Sequence, residues 1–89
     1  MAVLVVAEVQ GQTQQGYDAM FAVLAGALKH AQGFILHTAH PCEGGWRIIE
    51  IWSSKVEANE FFAKAVAPSL PPGIHPKRSV QELHSLLEH

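Results

Sequence analysis

The chain opens on Ala2-Val-Leu-Val-Val-Ala-Glu-Val9, β-branched and apolar at almost every position, a pattern that predicts a strand buried on both faces. Gly11 breaks it. Thr13 stands in N-cap position, and Tyr17, Met20, Phe21, Leu24, Leu28 and Ala31 then recur at helical spacing. A helix is expected from about Gln14 to Ala31, with Gly33 as its stop. Phe34 to Ala39 reads as a second strand, Pro41-Cys-Glu-Gly-Gly45 as a turn, and Trp46-Arg-Ile-Ile-Glu-Ile-Trp52 as a third strand, making an antiparallel hairpin. Ser54-Lys-Val-Glu57 is a capping box. The helix after it gathers Ala58, Phe61, Phe62, Ala65 and Val66 on one side, sets Glu60 and Lys64 in i,i+4 pairing on the other, and ends at Pro68. Pro68 to Pro76 is too rich in proline for regular structure. Arg78 to His84 reads as a fourth strand, with a helical turn over Leu83–Leu86 as the competing reading.

The order is β-α-β-β-α-β, the ferredoxin-like α+β plan, in which both helices pack on one face of a four-stranded antiparallel sheet. A sheet open to water on its other face should alternate apolar and polar residues cleanly. This one does not: the first strand is apolar at both parities, and the third sets Ile48 and Trp52 opposite Ile49 and Ile51. The second face therefore needs a cover, and no element of the chain remains to supply it. A symmetric homodimer packed sheet against sheet is the economical solution.

Composition agrees. Apolar residues make up 48% of the 89 residues and charged residues 16%, against roughly 25% in typical globular proteins. Leu87-Glu88-His89 looks like the start of a Leu-Glu-polyhistidine purification tag, so one domain over 1–86 is expected, with 87–89 a tag remnant. Without that remnant the acids fall from eight to seven against six bases, a net charge near −1. That balance offers no basic field for nucleic acid and no basic face for a membrane surface. Cys42, the single cysteine, excludes an intramolecular disulfide framework. No apolar stretch is long enough to span a bilayer, and a cytoplasmic location is expected.

Several of these residues resemble the dimeric α+β barrel proteins, and within them the antibiotic biosynthesis monooxygenase-like group. The resemblance covers nearly all of 1–86. Its most specific piece is Ile49-Glu50-Ile-Trp52-Ser-Ser-Lys-Val-Glu-Ala58, a strand running into a capped helix, joined by Gly33-Phe34 opening the second strand and by the proline near the end of the second helix. It implies two sheets closing into a barrel whose interior often holds a small hydrophobic ligand. The group includes cofactor-independent oxygenases of polyphenolic substrates, heme-degrading enzymes and polyketide-type cyclases. The chain departs from the pattern in two places. Where many active members carry a histidine on the second helix, Phe61 stands here, and the asparagine-tryptophan-histidine set of heme-degrading relatives is not recognisable. No cofactor is therefore expected.

Alternation puts Trp46, Ile48, Glu50 and Trp52 on one face of the third strand, taken as the barrel interior, and Ile49 and Ile51 on the other, taken as the helix-facing core. Glu50 reads either as a general base or substrate anchor, or as one half of an ion pair across the dimer interface, with Arg78 the partner. Trp52 either stacks on an aromatic ligand or fills the lumen. His37 and His40 have metal-pair spacing, but residues three apart on a strand point to opposite faces, so no metal site is expected. His40, taken to share a face with Phe34 and Leu36, is a candidate to approach Glu50. His84 is another, paired with Glu82. Glu8, Tyr17 and Ile48 are candidate substrate contacts. His30 suits a helix C-terminus, His75 lies in the proline-rich segment expected to close the mouth, and Cys42 reads as a bystander thiol. Two functions follow. One is a cofactor-independent monooxygenase or cyclase-like catalyst using Glu50, His40 or His84 as base. The other is a non-catalytic homodimer with a ligand-binding, structural or regulatory role.

Overall fold

A computed structural model describes residues 1–89. The strands are β1 (Val3–Gln10), β2 (Phe34–Cys42), β3 (Gly45–Trp52) and β4 (Lys77–Glu82), and the helices are α1 (Gln14–Lys29) and α2 (Lys55–Phe61). The sheet order is β2-β3-β1-β4 with every pairing antiparallel, the ferredoxin-like α+β fold. The apolar β1 lies between two neighbours, which is what a strand without a polar edge requires.

Both expected caps form. Thr13 accepts from the Gly16 amide at 3.0 Å, and Ser54 accepts from the Glu57 amide at 3.2 Å. The Glu57 carboxylate takes its bond from the Ser54 hydroxyl, at 2.9 Å. Several boundaries differ from expectation, among them β4, which ends at Glu82 and not at His84. α1 stops at Lys29, two residues early. β2 continues through Pro41 to Cys42, because β2 is a sheet edge where a missing N–H breaks no ladder. The turn shrinks to Glu43-Gly44, with Gly44 in the left-handed region at φ 77°. After Phe61 the helix widens into a π-turn over Phe62–Val66 and tightens into a 3-10 turn over Ala67–Ser69, so Pro68 sits inside the ending rather than at it.

Directly opposed residues of paired strands share a face. Val3, Val5, Ala7 and Val9 oppose Trp52, Glu50, Ile48 and Trp46, and this is the face the helices cover. Val3, Val5, Leu28, Trp52 and Ala58 form the core, with Ala31, Phe34, Phe61 and Val80 packed against it. The assignment of faces read from β3 is thus reversed. Glu50 and Trp52 point at the helices of their own chain, while Ile49 and Ile51 stand on the uncovered face with Leu4, Val6 and Leu36. The second face does lack a cover from this chain, and the apolar residues on it are half-buried or exposed. No helix is long and apolar enough to cross a membrane.

Candidate functional site

Three elements converge between α1 and the sheet. The tight Glu43-Gly44 turn fixes the hairpin register so that His37 of β2 lies directly opposite Glu50 of β3. The first turn of α1 brings Tyr17 over that pair. The Tyr17 hydroxyl lies 2.6 Å from His37 Nε2, and His37 Nδ1 lies 2.6 Å from Glu50 Oε2. Trp52, two residues beyond Glu50 on the same face, donates its Nε1–H to Glu50 Oε1 at 2.9 Å. Both carboxylate oxygens are thus engaged. A carboxylate at Nδ1 selects the Nδ1–H tautomer, so Nε2 accepts the Tyr17 hydroxyl proton. The order Tyr17, His37, Glu50 is a hydroxyl, an imidazole and an orienting carboxylate in series.

Electrostatics set the resting proton. Burial, reinforced by the negative charges of Glu50 and Asp18, pushes the Tyr17 phenol above its ordinary value, so at neutral pH it is a neutral donor. The ring is held by stacking on Phe21, His37 and Trp46 at centroid distances of 5.7, 6.1 and 5.8 Å. Trp46 Nε1 is the one buried side-chain nitrogen or oxygen without a partner.

Tyr17, His37 and Glu50 line one wall of a cavity of about 100 Å³, with Ile48, Phe62 and Arg78 among the other lining residues. The π-turn bears on this cavity, since Phe62 and Val66 both line it. The Arg78 guanidinium lies 4.3 Å over the Phe62 ring and donates from Nη1 to Asn59 Oδ1 at 3.0 Å. Burial lowers the Arg78 pKa, and the Glu50 charge opposes that shift. Leu70 and Pro76, at the two ends of the proline-rich segment, also line the cavity.

Of the candidates named from sequence, Glu50, Tyr17 and Ile48 meet at the cavity, and Trp52 stands behind Glu50 as a core residue 1% exposed. The others are corrected by their positions. His40 opposes Arg47 on the uncovered face and is exposed, its Nδ1 2.8 Å from the Pro41 carbonyl oxygen. An irregularity between Phe34 and Leu36 shifts the parity of β2, so Phe34 faces the helices while Leu36 and His40 do not. His84 lies beyond the end of β4 and is exposed, as is Glu82, so no lumen pair forms. Glu8 is also on the uncovered face, in a two-bond pair with Arg47 at 2.8 and 3.1 Å. The proposed Glu50–Arg78 pairing across two chains gives way to a closer arrangement, since Arg78 belongs to the same cavity as Glu50. Sequence reasoning overlooked His37 as a site residue. Counting back from the Glu43-Gly44 turn would have found it. No three His, Cys, Asp or Glu side chains gather as a metal site.

The backbone resembles solved structures throughout its length. SnoaB, a cofactor-independent oxygenase from Streptomyces nogalater, superposes with a TM-score of 0.74 over 99% of this chain and 98% of that one, at 16% identity. The likeness is one of fold, the ferredoxin-like α+β arrangement of a four-stranded antiparallel sheet and two helices. YjcS matches with a TM-score of 0.66 at 15% identity over 93% and 99% of the two chains. The heme-degrader MhuD of Mycobacterium tuberculosis, with two hemes in its active site, matches at 0.62 and 17% identity over 99% and 100%. No family model and no curated protein sequence matches the chain significantly. Heme does not suit the cavity described here, whose single imidazole, His37, has both ring nitrogens engaged.

Proposed function

We propose that this protein is a cofactor-independent oxygenase-like catalyst that removes a proton from a small aromatic or enolisable substrate through Tyr17, His37 and Glu50. The observation that carries the reading is the unbroken hydrogen-bond series from a cavity-lining hydroxyl to a half-buried carboxylate. A substrate CH₂ activated by a neighbouring phenol or carbonyl gives its proton to the Tyr17 oxygen as Tyr17 passes its own to His37 Nε2. Glu50 offsets the charge of the imidazolium that results. The carbanion reduces dioxygen and joins it as a peroxide anion, which recovers the proton through Tyr17. Loss of water then leaves a carbonyl, so CH₂ and O₂ become C=O and H₂O. The likeness to SnoaB in fold supports this class of chemistry.

Catalysis of this kind takes place in a homodimer. Leu4, Val6, Leu36, Ile49 and Ile51 on the uncovered face are the residues a second copy would bury, each contributing roughly 1.5–3 kcal/mol when fully enclosed.

Dioxygen uptake with single-ring aryl ketones that carry an activated CH₂, hydroxyphenylpyruvate among them, tests the catalytic reading. The wild type should exceed spontaneous oxidation, with Glu50→Gln and Tyr17→Phe lowering the rate about 10²–10⁴-fold while leaving the fold intact. Uptake unchanged in both variants would overturn it. A non-catalytic homodimer would show binding to the cavity and no uptake above background.

A further inference from the structure

The relay accounts for every polar group on the cavity wall near β3, but not for Arg78. Its guanidinium has five N–H donors, and one of them is used, on Asn59. No carboxylate lies within salt-bridge distance of it. Glu50, the other charged group lining the cavity, spends its two oxygens on His37 and Trp52. A half-buried cation without a direct counter-charge is unfavourable unless something fills its free donors. The surroundings also fix its orientation: Phe62 holds one face of the plane and Asn59 holds Nη1. A guanidinium held in this way is set for a planar anion able to accept two parallel bonds.

The rest of the cavity limits what carries that anion. The lining is predominantly apolar, with Phe21, Phe61, Phe62 and Leu24 among it. Its volume of about 100 Å³ compares with the ~150 Å³ of an apolar cavity that accepts benzene. Drug-sized pockets start nearer ~300 Å³. The volume is below even the benzene figure, so one ring is the upper limit and a fused polycycle does not fit.

We infer that the cavity selects a single-ring aromatic carboxylate bearing a hydroxyl group, with Arg78 as the specificity-determining residue that grips the carboxylate. This rests on reading the cavity as the substrate site, and it narrows that site's substrate class. The ring lies among the apolar lining residues, and its hydroxyl is directed to Tyr17. Burial weakens the hold of Arg78 on its proton, and a bound carboxylate would restore it.

Binding can be measured without turnover, through the fluorescence of Trp46 and Trp52 or by calorimetry. The probes are 4-hydroxybenzoate, its uncharged isostere 4-hydroxybenzamide, and inorganic phosphate. Wild type should bind the acid about tenfold to a hundredfold more tightly than the amide. Arg78→Gln should bring that ratio close to one, and Arg78→Lys, which keeps the charge and loses the fork, should retain part of it. Equal binding of acid and amide by wild type overturns the inference, as does failure of both to bind at millimolar concentration. Phosphate competing as well as the acid would mark a general anion site and overturn the aromatic class. The wild-type comparisons decide even if Arg78→Gln fails to fold. Selective binding without oxygen uptake would leave this inference standing and the oxygenase reading fallen. Uptake with equal acid and amide binding would do the reverse.

Discussion

Each face of the sheet carries one close pair of oppositely charging side chains, and the two pairs live in different surroundings. On the helix side, His37 and Glu50 meet at 2.6 Å with side chains 13% and 18% exposed. On the uncovered side, Arg47 and Glu8 meet at 2.8 Å, 36% and 43% exposed. Both are cross-strand pairs in perfect register. The difference lies in what each is attached to. Glu50 is tied to Trp52 and, through His37, to a hydroxyl lining a cavity, so a proton can travel along the series. Glu8 ends at Arg47, a guanidinium that only donates and leads on to no hydroxyl and no cavity. Close contact alone does not make a reactive site; a titratable partner and a path to a cavity do.

The largest effect expected from disturbing this contrast falls on the uncovered face. Ile51→Asp would place an unpaired carboxylate among the apolar residues a second copy should bury, beside Leu4 and Leu36, while leaving the relay on the opposite side untouched. A buried unpaired charge costs roughly 3–5 kcal/mol, which corresponds to about a 10²–10³-fold or greater weakening of a dimer. Sedimentation velocity should show wild type as a dimer at micromolar concentration and the variant as a monomer. A wild-type monomer would mean that the apolar face has another cover.

A smaller effect is expected inside the relay. Tyr17 is the only tyrosine in the chain, so absorbance at 295 nm follows its ionisation directly. Its titration should fall above the ordinary value near 10. Because burial is the largest cause and Glu50 the next, Glu50→Gln should bring the titration part of the way back, not all of it. The sign for stability follows. A phenol whose folded pKa is raised holds its proton more tightly when folded. Its contribution is therefore fully present below the unfolded value near 10 and is lost as pH rises through the folded one. Chemical denaturation between pH 8 and 12 should show stability falling only above about pH 10 from this source. A Tyr17 titration at or below its ordinary value would mean the phenol is solvated and outside the relay.

How far the site could be read in advance depended on local geometry. The split βαββαβ order, both N-caps and the uncovered second face all follow from patterns a few residues long, and the folded chain has them. Glu50 was legible as a carboxylate within an apolar strand, and Tyr17 as a polar-tipped member of the apolar stripe in the first turn of α1. The side of the sheet was not, because β1 and β3 are apolar at both parities and so alternation alone cannot say which set the helices cover. His37 was hidden by a single irregularity near Ile35: parity counted from Phe34 gives the wrong face, whereas parity counted from the Gly44 turn gives the right one. The place of Arg78 was beyond reach. Its contacts with Asn59 and Phe62 join β4 to the end of α2, and Phe62 opens a π-turn that no propensity announces.

The smallest effect is reserved for the Glu8–Arg47 pair, and it bears on both halves of the contrast. In an isolated chain the pair is about two-fifths exposed, so a double-mutant cycle with Glu8→Gln and Arg47→Met should give a coupling of only 0.2–1 kcal/mol, decreasing with added salt. The Ile51→Asp background isolates that value if the variant is monomeric. In the wild-type background, a second copy over the face would exclude water and counter-ions from the same pair. The coupling should then be larger and nearly independent of salt, because a desolvated pair is screened less. The same cycle in two backgrounds thus reports whether the uncovered face is dry. Equal couplings with equal salt dependence would mean that Glu8 and Arg47 stay at the water-exposed rim in solution, and the dimer would have to bury the sheet without them.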